Sequence, residues 1–517
     1  MIRYCLLSLL LSFAVGSWAQ QNQPAPKPLP KLARPSVARP NAARPSVARP
    51  RNVIFILSDD HRYDFMSFMK PAIAPWLETP NLDRIRREGA HCPKAFVTTA
   101  LCSPSRASIL TGMFSHQHTV VDNVAPEPPT LTYFPQYLQQ AGYQTAFLGK
   151  WHMGDEDDRP RKGFNHWVSF RGQGVYYNPV LNVDGKQVEH RDSAYIADVL
   201  TDYALNFLNR RDKDKPFFMY LSHKSVHHQF QPSRTDRNRF AQSPIQYPAS
   251  FYQTDPRNQN PETKESGVPH WVRRQRYSWH GVDYLYHGST TFDSFVRDYC
   301  ETLRSMDTSI GRVLKYLDDN GLADNTLVIY MGDNGFMFGE HGLIDKRTAY
   351  EESMRVPFLV RCPALIKAGT TVPQMIQNVD VAPTILELAG LQKAPQMVGR
   401  SIMPLLQGQS VPDWRDKIFY EYYWEYDFPH TPTVHAVRTD RYKYVRYHGI
   451  WDTNEFFDLE KDPNEMNNLI KDPQHQTTIK EMAGQIYDWL ERTGGMEIPL
   501  KRTVKPRFGD HENKNTY

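Results

Sequence analysis

The sequence is poor in cysteine, in long apolar runs and, near its beginning, in acidic residues. Only five cysteines occur in 517 residues, which excludes a fold held together mainly by disulfides. Beyond residue 20 no stretch is long and apolar enough to cross a bilayer. Residues 1–50 have no acid and seven basic residues, which leaves 54 basic against 57 acidic residues in 51–517. The body is therefore slightly acidic, and its composition does not favour a nucleic-acid partner.

The first fifty residues have the composition of a leader followed by a spacer. Arg3 precedes an apolar run at 6–15, and small residues at 17 and 19 precede a cleavage point after Ala19, so residues 1–19 are predicted to be a signal peptide. Residues 20–50 contain eight prolines and a repeated octamer, which predicts a disordered Pro/Arg-rich linker. We therefore expect an exported protein, periplasmic or secreted, without a membrane span.

Four β-branched and aromatic runs predict strands that are buried on both faces. They lie at 52–58, 143–148, 216–221 and 326–331, and helical patterns such as 297–319 separate them. Strands that alternate with helices predict an α/β fold with a large mixed, mostly parallel sheet sandwiched by helices. We assign residues 51–411 to this α/β domain and 412–517, with its aromatic strands and a helix near 476–492, to a smaller C-terminal α+β subdomain.

Polar side chains follow the carboxyl ends of these strands. Because such sheets bind ligands at that edge, one crevice is expected to gather several of them. They are Asp59, Asp60, Lys150, His152, His227, Asp333 and Asn334. Three carboxylates and a carboxamide suit a hard divalent cation, calcium or magnesium. The lysines and histidines, with Lys346, suit an anionic substrate.

The most specific segment is Leu-Cys-Ser-Pro-Ser-Arg-Ala-Ser-Ile-Leu-Thr-Gly at 101–112. Its Cys-x-Pro-x-Arg pattern and Leu-Thr-Gly end resemble the signature of type I sulfatases, members of the alkaline phosphatase superfamily. Further segments that resemble this family lie at 79–83, 149–152, 332–335, 339–343, 379–384 and 457–463. The resemblance runs from about residue 52 to 470. It implies an alkaline-phosphatase-like fold and hydrolysis of sulfate esters.

The resemblance also implies a modified nucleophile and a set of roles. A formylglycine-generating or equivalent maturation enzyme would oxidise Cys102 to formylglycine, whose hydrated aldehyde attacks sulfur and later collapses to release sulfate. The implied ligands of one calcium ion are Asp59, Asp60, Cys102, Asp333 and Asn334. The other implied catalytic residues are Arg106, which steadies the hydrated aldehyde, Lys150 and Lys346, which bind sulfate oxygens, His152, which deprotonates the diol, and His227, which protonates the leaving group. His341 is expected to orient Lys346 or the metal ligands from behind.

Two regions predict a sugar substrate. Residues 228–296 form a long aromatic and basic insertion that would shape a pocket, with His280 as a contact, and His435 and Arg438 are candidate contacts from the C-terminal subdomain. Segments 172–179 and 181–185 resemble carbohydrate sulfatases that act on 6-sulfated glucosamine or related sulfated glycans. A sulfated oligosaccharide or polysaccharide is therefore the expected substrate.

Two alternatives remain at this point. The first is a phosphatase or phosphodiesterase of the same superfamily, although these generally carry Thr or Ser as the nucleophile. The second is an inactive sulfoglycan-binding protein in which Cys102 stays a thiol. The cysteines at 92, 300 and 362 allow at most one disulfide, and the sequence does not choose it.

Overall fold

The computed structural model describes residues 52–154, 157–255, 267–275, 290–426, 428–497 and 499. The predicted signal peptide, the predicted linker and His280 lie outside these ranges. The strands are β1 (Asn52–Ser58), β2 (Ala90–His91), β3 (Ala95–Phe96), β4 (Gln144–Lys150), β5 (His166–Phe170), β6 (Val180–Val183), β7 (Lys186–Glu189), β8 (Phe217–Ser222), β9 (Thr326–Gly332), β10 (Met337–Phe338), β11 (Ile344–Asp345), β12 (Phe358–Arg361), β13 (Thr370–Thr371), β14 (Ile376–Gln377), β15 (Lys417–Tyr422), β16 (Thr433–Thr439), β17 (Tyr442–His448) and β18 (Glu455–Asp458).

The α-helices alternate with these strands. They are α1 (Pro80–Glu88), α2 (Cys102–Thr111), α3 (Ser115–His118), α4 (Phe134–Gln140), α5 (Ile196–Arg210), α6 (His270–Gln275), α7 (Phe292–Asp319), α8 (Glu351–Met354), α9 (Val381–Leu388), α10 (Met403–Leu406) and α11 (Gln476–Thr493). In the part of the chain that is described, no helix is both long and apolar enough to cross a membrane.

The main sheet has ten strands in the order β13-β2-β12-β9-β1-β8-β4-β5-β6-β7. The central strands from β9 to β5 are parallel to their neighbours, whereas β12 and β6 join them antiparallel. The prediction of a mixed, mostly parallel sheet is therefore confirmed. Leu57 pairs with both Ser222 and Met331, and Ser222 pairs with Gly149. The carboxyl ends of four strands thus lie level, which brings the polar residues after them to one place.

Alternate residues of β1 face two separate hydrophobic layers. Val53, Phe55 and Leu57 pack into a layer that includes residues of α2, α4 and α9. Ile54 and Ile56 pack into the other layer, with residues of α1, α5 and α7. Because both faces are covered, every residue of β1 is buried, as a continuous apolar run predicts. The helices therefore sandwich the sheet, as expected.

Helix α7 begins five residues earlier than the periodic pattern at 297–319 indicates. Thr291 is its N-cap, and the Thr291 hydroxyl accepts a hydrogen bond from the backbone N–H of Ser294 at 3.2 Å. From its middle, α7 also caps α1. The Asp307 carboxylate accepts hydrogen bonds from the backbone N–H of Leu82 at 2.8 Å and of Asn81 at 3.1 Å. The α1 N-cap residue, Thr79, makes no side-chain cap of its own.

Asp307→Ala should lower the free energy of unfolding by about 1–3 kcal/mol, because two backbone N–H groups, the buried one of Leu82 and the half-buried one of Asn81, would lose their acceptor. Denaturant unfolding measures this loss. Asp319→Ala, at the exposed end of the same helix, is the matched control and should change stability by less than about 0.5 kcal/mol. Equal losses in the two variants would contradict a capping role for Asp307.

The C-terminal residues form a second, smaller sheet. Strands β15 to β18 are antiparallel in chain order. One face packs on α11 through Val437, Tyr444 and Phe456, and residues of the other face belong to the main core. The α+β character of this subdomain is confirmed, and its helix spans Gln476–Thr493. The boundary at 411/412 stays a prediction.

Candidate active site

The segment 101–112 places Cys102 at the first residue of α2. All ten residues of the helix are buried. Gly112 ends it with φ +67°, a conformation that L side chains rarely adopt, and a Cβ there would lie 2.9 Å from the Met397 side chain. Cys102 Sγ lies 3.5 Å from Asp59 Oδ1 and 3.4 Å from Lys346 Nζ. The predicted nucleophile therefore lies between a carboxylate and an ammonium group at a helix N-terminus, where the helix dipole favours negative charge.

Three carboxylates converge beside this cysteine. Asp59 and Asp60 follow β1, Asp333 follows β9, and ligand atoms of the three lie within 4.8 Å of one another. The backbone N–H of Asp60 donates to Asp333 Oδ1 at 3.1 Å, and Asn334 Nδ2 donates to Asp60 Oδ1 at 2.7 Å. The structure thus brings together the oxygen donors that the strand ends predicted.

Cationic side chains accompany the carboxylates. Arg106 contacts Asp333 Oδ2 through Nε at 2.9 Å and Asp59 Oδ2 through Nη2 at 3.1 Å. Lys150 pairs with Asp59, and Lys346 pairs with Asp60. Lys150 is the last residue of β4 and follows Gly149, where a Cβ would lie 1.8 Å from the backbone oxygen of Ser222. Only glycine permits this approach of β4 to β8, which fixes the position of Lys150 at the carboxyl end of the sheet.

The local charges divide the two adjacent aspartates. Burial raises the pKa of Asp59, but Lys150 and Arg106 outweigh it and hold the pKa well below the usual value. Burial raises the pKa of Asp60 to about 7, with Lys346 opposing the rise and the charges of Asp59 and Asp333 adding to it. The positive charge around Asp60 is thus too small to offset its burial and the two neighbouring carboxylates.

The donor set fits a hard divalent cation. Three carboxylates supply oxygen ligands, and Asn334 Oδ1 is buried without a hydrogen-bond partner. A buried carbonyl oxygen without a partner is unfavourable unless something else satisfies it, and a cation would do so. Asp59, Cys102 and His227 form a second possible group. That group requires a thiolate, whereas burial, followed by the charge of Asp59, raises the pKa of Cys102. The oxygen set is therefore the better candidate.

The two predicted catalytic histidines lie beside this cluster. His227 Nε2 is 3.8 Å from Asp60 Oδ2, and its Nδ1 lies 2.5 Å from the carbonyl oxygen of His228. His152 Nδ1 is 3.4 Å from the hydroxyl of Ser103, the residue after Cys102. Burial, followed by the charge of Lys150, holds the pKa of both imidazoles well below the usual value, so both rings are neutral at pH 7.

Sequence reasoning missed three neighbours of these residues. Gln173 Oε1 accepts a hydrogen bond from Lys150 Nζ at 2.5 Å, and the Tyr176 hydroxyl donates to the carbonyl oxygen of His227 at 2.7 Å. Lys224 is buried between β8 and His227. Gln173 and Tyr176 belong to the segment 172–179 that predicts a sugar substrate, so that segment reaches the site itself.

Other predicted residues lie elsewhere. His341 hydrogen-bonds Gln253 at 2.8 Å and stacks on Tyr350, and no described contact joins it to Lys346, so the expectation that it orients Lys346 is not supported. His435 and Arg438 are buried in β16, and no described contact joins either of them to the cluster around Cys102. His280 is outside the described residues.

Arg438 has structural contacts that compete with a role in substrate binding. Its Nε and Nη2 lie 3.1 and 3.2 Å from the two carboxylate oxygens of Glu351, and its Nη1 donates to the carbonyl oxygen of Thr439 at 2.8 Å. Its guanidinium also lies 4.8 Å from the ring centre of Phe96. These contacts explain its position without a substrate.

Arg438→Ala should lower the free energy of unfolding by about 1–3 kcal/mol, because Glu351 would lose one buried partner while Lys443 Nζ stays 2.9 Å from its carboxylate. A thermal or chemical melt measures this, and KM is measured on the same preparation. Arg492→Ala, an exposed arginine at the end of α11 in the same subdomain, is the control and should cost about 1 kcal/mol or less. A raised KM with unchanged stability would instead make Arg438 a substrate contact.

The four described cysteines, Cys92, Cys102, Cys300 and Cys362, are all buried and free. The disulfide that the sequence left open is therefore not formed among Cys92, Cys300 and Cys362. Burial raises the pKa of each of these three thiols, which keeps them protonated at neutral pH.

The fold and the site together define an enzyme of the alkaline phosphatase superfamily. A family model described as "Sulfatase" matches residues 51–391, and a second, "N-sulphoglucosamine sulphohydrolase, C-terminal", matches 339–492. Because the first match covers more than half of the chain, the protein belongs to the sulfatase family. It is a sulfuric ester hydrolase, as the signature around Cys102 predicted.

Known proteins extend the likeness over most of the chain. An N-acetylglucosamine-6-O-sulfatase of Bacteroides thetaiotaomicron is 34% identical, over 88% of this chain and 88% of its own length. The human N-acetylglucosamine-6-sulfatase is 33% identical over 72% of this chain and 67% of its own length. A solved structure in complex with its substrate, D-glucosamine-2-N,6-O-disulfate, has a TM-score of 0.75 and 32% identity, and covers 88% of this chain and 100% of that one.

Proposed function

We propose that this sulfatase is exported and removes the 6-O-sulfate from N-acetylglucosamine or glucosamine units of a sulfated glycan. We further propose that it uses a formylglycine made from Cys102 and one calcium ion. The observation that carries the proposal is the position of Cys102, between the carboxylate of Asp59 and the ammonium of Lys346, beside three converging carboxylates. The choice of this sugar rests on the relatives, since bacterial and human proteins named for this sulfate are similar over most of the chain.

Four residues would hold the calcium ion: Asp59, Asp60, Asp333 and Asn334. Cys102 would join them only after oxygen has replaced its sulfur, because calcium binds oxygen ligands. When bound, the ion supplies positive charge that lowers the pKa of a nearby hydroxyl and polarises the sulfate. Arg106 fixes the ligand geometry, since it bridges Asp59 and Asp333 and donates to the Lys150 carbonyl oxygen at 2.6 Å.

Formylglycine at position 102 would resolve a chemical problem that a serine could not. Its hydrate carries two hydroxyls on one carbon. One hydroxyl would supply the oxygen that bonds to sulfur as the sugar alcohol leaves, and the other would supply the proton whose loss lets the carbon–oxygen bond to sulfate break and the aldehyde form again. His152 is suited to accept that proton, since its imidazole is neutral and lies beside Ser103.

His227 is the candidate acid for the leaving alcohol, and its hydrogen bond defines what that role requires. Nδ1 faces the carbonyl oxygen of His228, so the neutral ring keeps its proton there and leaves Nε2 bare. His227 must therefore take up a second proton before it can act as an acid. An anionic ester bound beside it would favour that uptake. The Tyr176 hydroxyl fixes the backbone of this residue.

The proposal is tested with protein co-produced with a formylglycine-generating enzyme. The substrates are N-acetylglucosamine 6-sulfate, its 3-sulfate isomer, N-acetylgalactosamine 6-sulfate and N-acetylglucosamine 6-phosphate. We expect kcat/KM to be at least about tenfold higher for the first than for any other. Turnover of the phosphate alone would favour the phosphatase alternative. Binding without turnover, with an alkylatable thiol at Cys102, would favour the inactive binding protein.

Sequencing of the exported protein should give Gln20 as its first residue.

A further inference from the structure

Lys224 is a buried lysine whose ammonium form has no anion in hydrogen-bond contact with it. The residue is 4% exposed, and none of the described residues accepts a hydrogen bond or forms an ion pair with its Nζ. Its one described partner is the ring of Tyr176, whose centre lies 4.7 Å from Nζ. Burial, followed by the positive charge of Lys150, lowers the pKa of Lys224 to about 7. Burying an unpaired charge destabilises the folded protein. Groups with pKa values shifted in this way are concentrated at functional sites.

The backbone places this ammonium at the active site. After β8 the chain hydrogen-bonds along the end of β1, where the N–H of Asp59 donates to the Ser225 carbonyl oxygen at 2.9 Å and the N–H of Val226 donates to that of Asp59 at 2.7 Å. The N–H of His227 donates to the carbonyl oxygen of Lys224 at 3.0 Å. Lys224 therefore belongs to the turn that presents His227, and its charge acts on Asp59, Asp60 and Cys102.

The other cations of the site already have anionic partners. Arg106 contacts Asp59 and Asp333, Lys150 contacts Asp59, and Lys346 contacts Asp60. Each of these side chains therefore already donates hydrogen bonds to a carboxylate. Among the described lysines and arginines around Cys102, Lys224 is the one that donates no hydrogen bond to a described carboxylate. An anion that enters this site would find an ammonium with all three N–H groups available.

We propose that Lys224 is a further substrate-binding cation of this enzyme, whose ammonium hydrogen-bonds the sulfate group of the bound ester beside His227. Tyr176 has a double role in this arrangement, because its ring supports the Lys224 ammonium and its hydroxyl fixes the His227 backbone. The assignment rests on the proposed sulfatase reaction. It adds a contact from the turn after β8 to those of Lys150 and Lys346.

The test replaces the charge and keeps the apolar stem, in Lys224→Met. Inorganic sulfate, the product, is the probe, and its inhibition constant is measured on the matured enzyme with N-acetylglucosamine 6-sulfate as substrate. We expect the inhibition constant and KM to rise by at least about tenfold, because a hydrogen bond to a charged group is lost. Lys186→Met, on the exposed strand β7, is the control and should leave both values unchanged. Lys224→Arg should recover part of the affinity for sulfate.

A second measurement separates binding from folding. Sulfate should raise the melting temperature of the wild-type protein and have a smaller effect on Lys224→Met, whose own melting temperature should equal or exceed that of the wild type. An unchanged inhibition constant, or a loss confined to stability or kcat, would overturn the proposal. Should Lys224→Met not fold, Lys224→Arg and Lys224→Gln give the same comparison of charge. If wild-type protein hydrolyses no sulfate ester, the sulfatase proposal fails instead, which these assays distinguish.

Discussion

Cys102→Ser should lower kcat/KM for the sulfated sugar by at least about 10⁴-fold, as removal of a covalent nucleophile does in other hydrolases. The hydroxyl of the substituted residue can still attack sulfur beside Asp59 and Lys346. It has no second hydroxyl on the same carbon, so the sulfate ester it forms cannot collapse. The variant, produced without a maturation enzyme that accepts serine, should therefore accumulate one covalent sulfate per chain. Intact-protein mass spectrometry after incubation with substrate measures this adduct.

The matched control for this prediction is Cys362→Ser. Cys362 is also a buried free thiol, and its Sγ lies 3.6 Å from the carbonyl oxygen of Asp324, which a serine hydroxyl can contact in the same way. This variant should keep its activity within about threefold, because a substitution that preserves the contact of the side chain lowers the stability of the protein only a little. Full activity of Cys102→Ser, or an active wild-type enzyme in which Cys102 is quantitatively alkylated, would contradict a formylglycine mechanism.

Most of the site was predictable because the fold itself brings it together. Four apolar runs predict buried parallel strands, and the polar residues after such strands meet at one edge of the sheet. This reasoning alone anticipated Asp59, Asp60, Asp333 and Asn334. The strand runs were also nearly right in length, since β1 spans the predicted residues and β9 extends one residue further. Lys150 proved to be the end of β4 itself rather than part of the following loop.

The residues that sequence reasoning missed have roles that depend on distant partners. Lys224 is one of 61 basic residues, and nothing in its neighbours along the chain shows that it is buried without a carboxylate. That property comes from the packing of the turn after β8 against Tyr176. Arg438 is a different case, because it was predicted as a substrate contact from its place in the C-terminal subdomain, and that role stays a prediction. Its carboxylate partner, Glu351, is 87 residues away in the sequence and could not be anticipated.

Asp60→Asn should reduce calcium affinity strongly and lower kcat/KM by at least about 10²-fold, because the metal would lose a charged ligand at its centre. The substitution keeps the shape of the side chain and an oxygen that can accept the 2.7 Å hydrogen bond from Asn334. We therefore expect folding to survive and metal binding to fail. Isothermal titration with calcium measures affinity, and initial rates measure activity. Asp202→Asn, an exposed carboxylate paired with Arg312, is the control and should change neither.

Chelation of the wild-type enzyme should reproduce the effect of Asp60→Asn, which connects the variant to the ion rather than to local packing. Added calcium should restore activity to the chelated wild type but not to the variant at equal concentration. Zinc should restore little, because the four proposed ligands all offer oxygen, whereas zinc prefers imidazole nitrogen and thiolate sulfur. Chelated enzyme with full activity would contradict a metal-dependent reaction. Better recovery with zinc than with calcium would instead favour the group formed by Asp59, Cys102 and His227, and the buried carbonyl oxygen of Asn334 would then need another explanation.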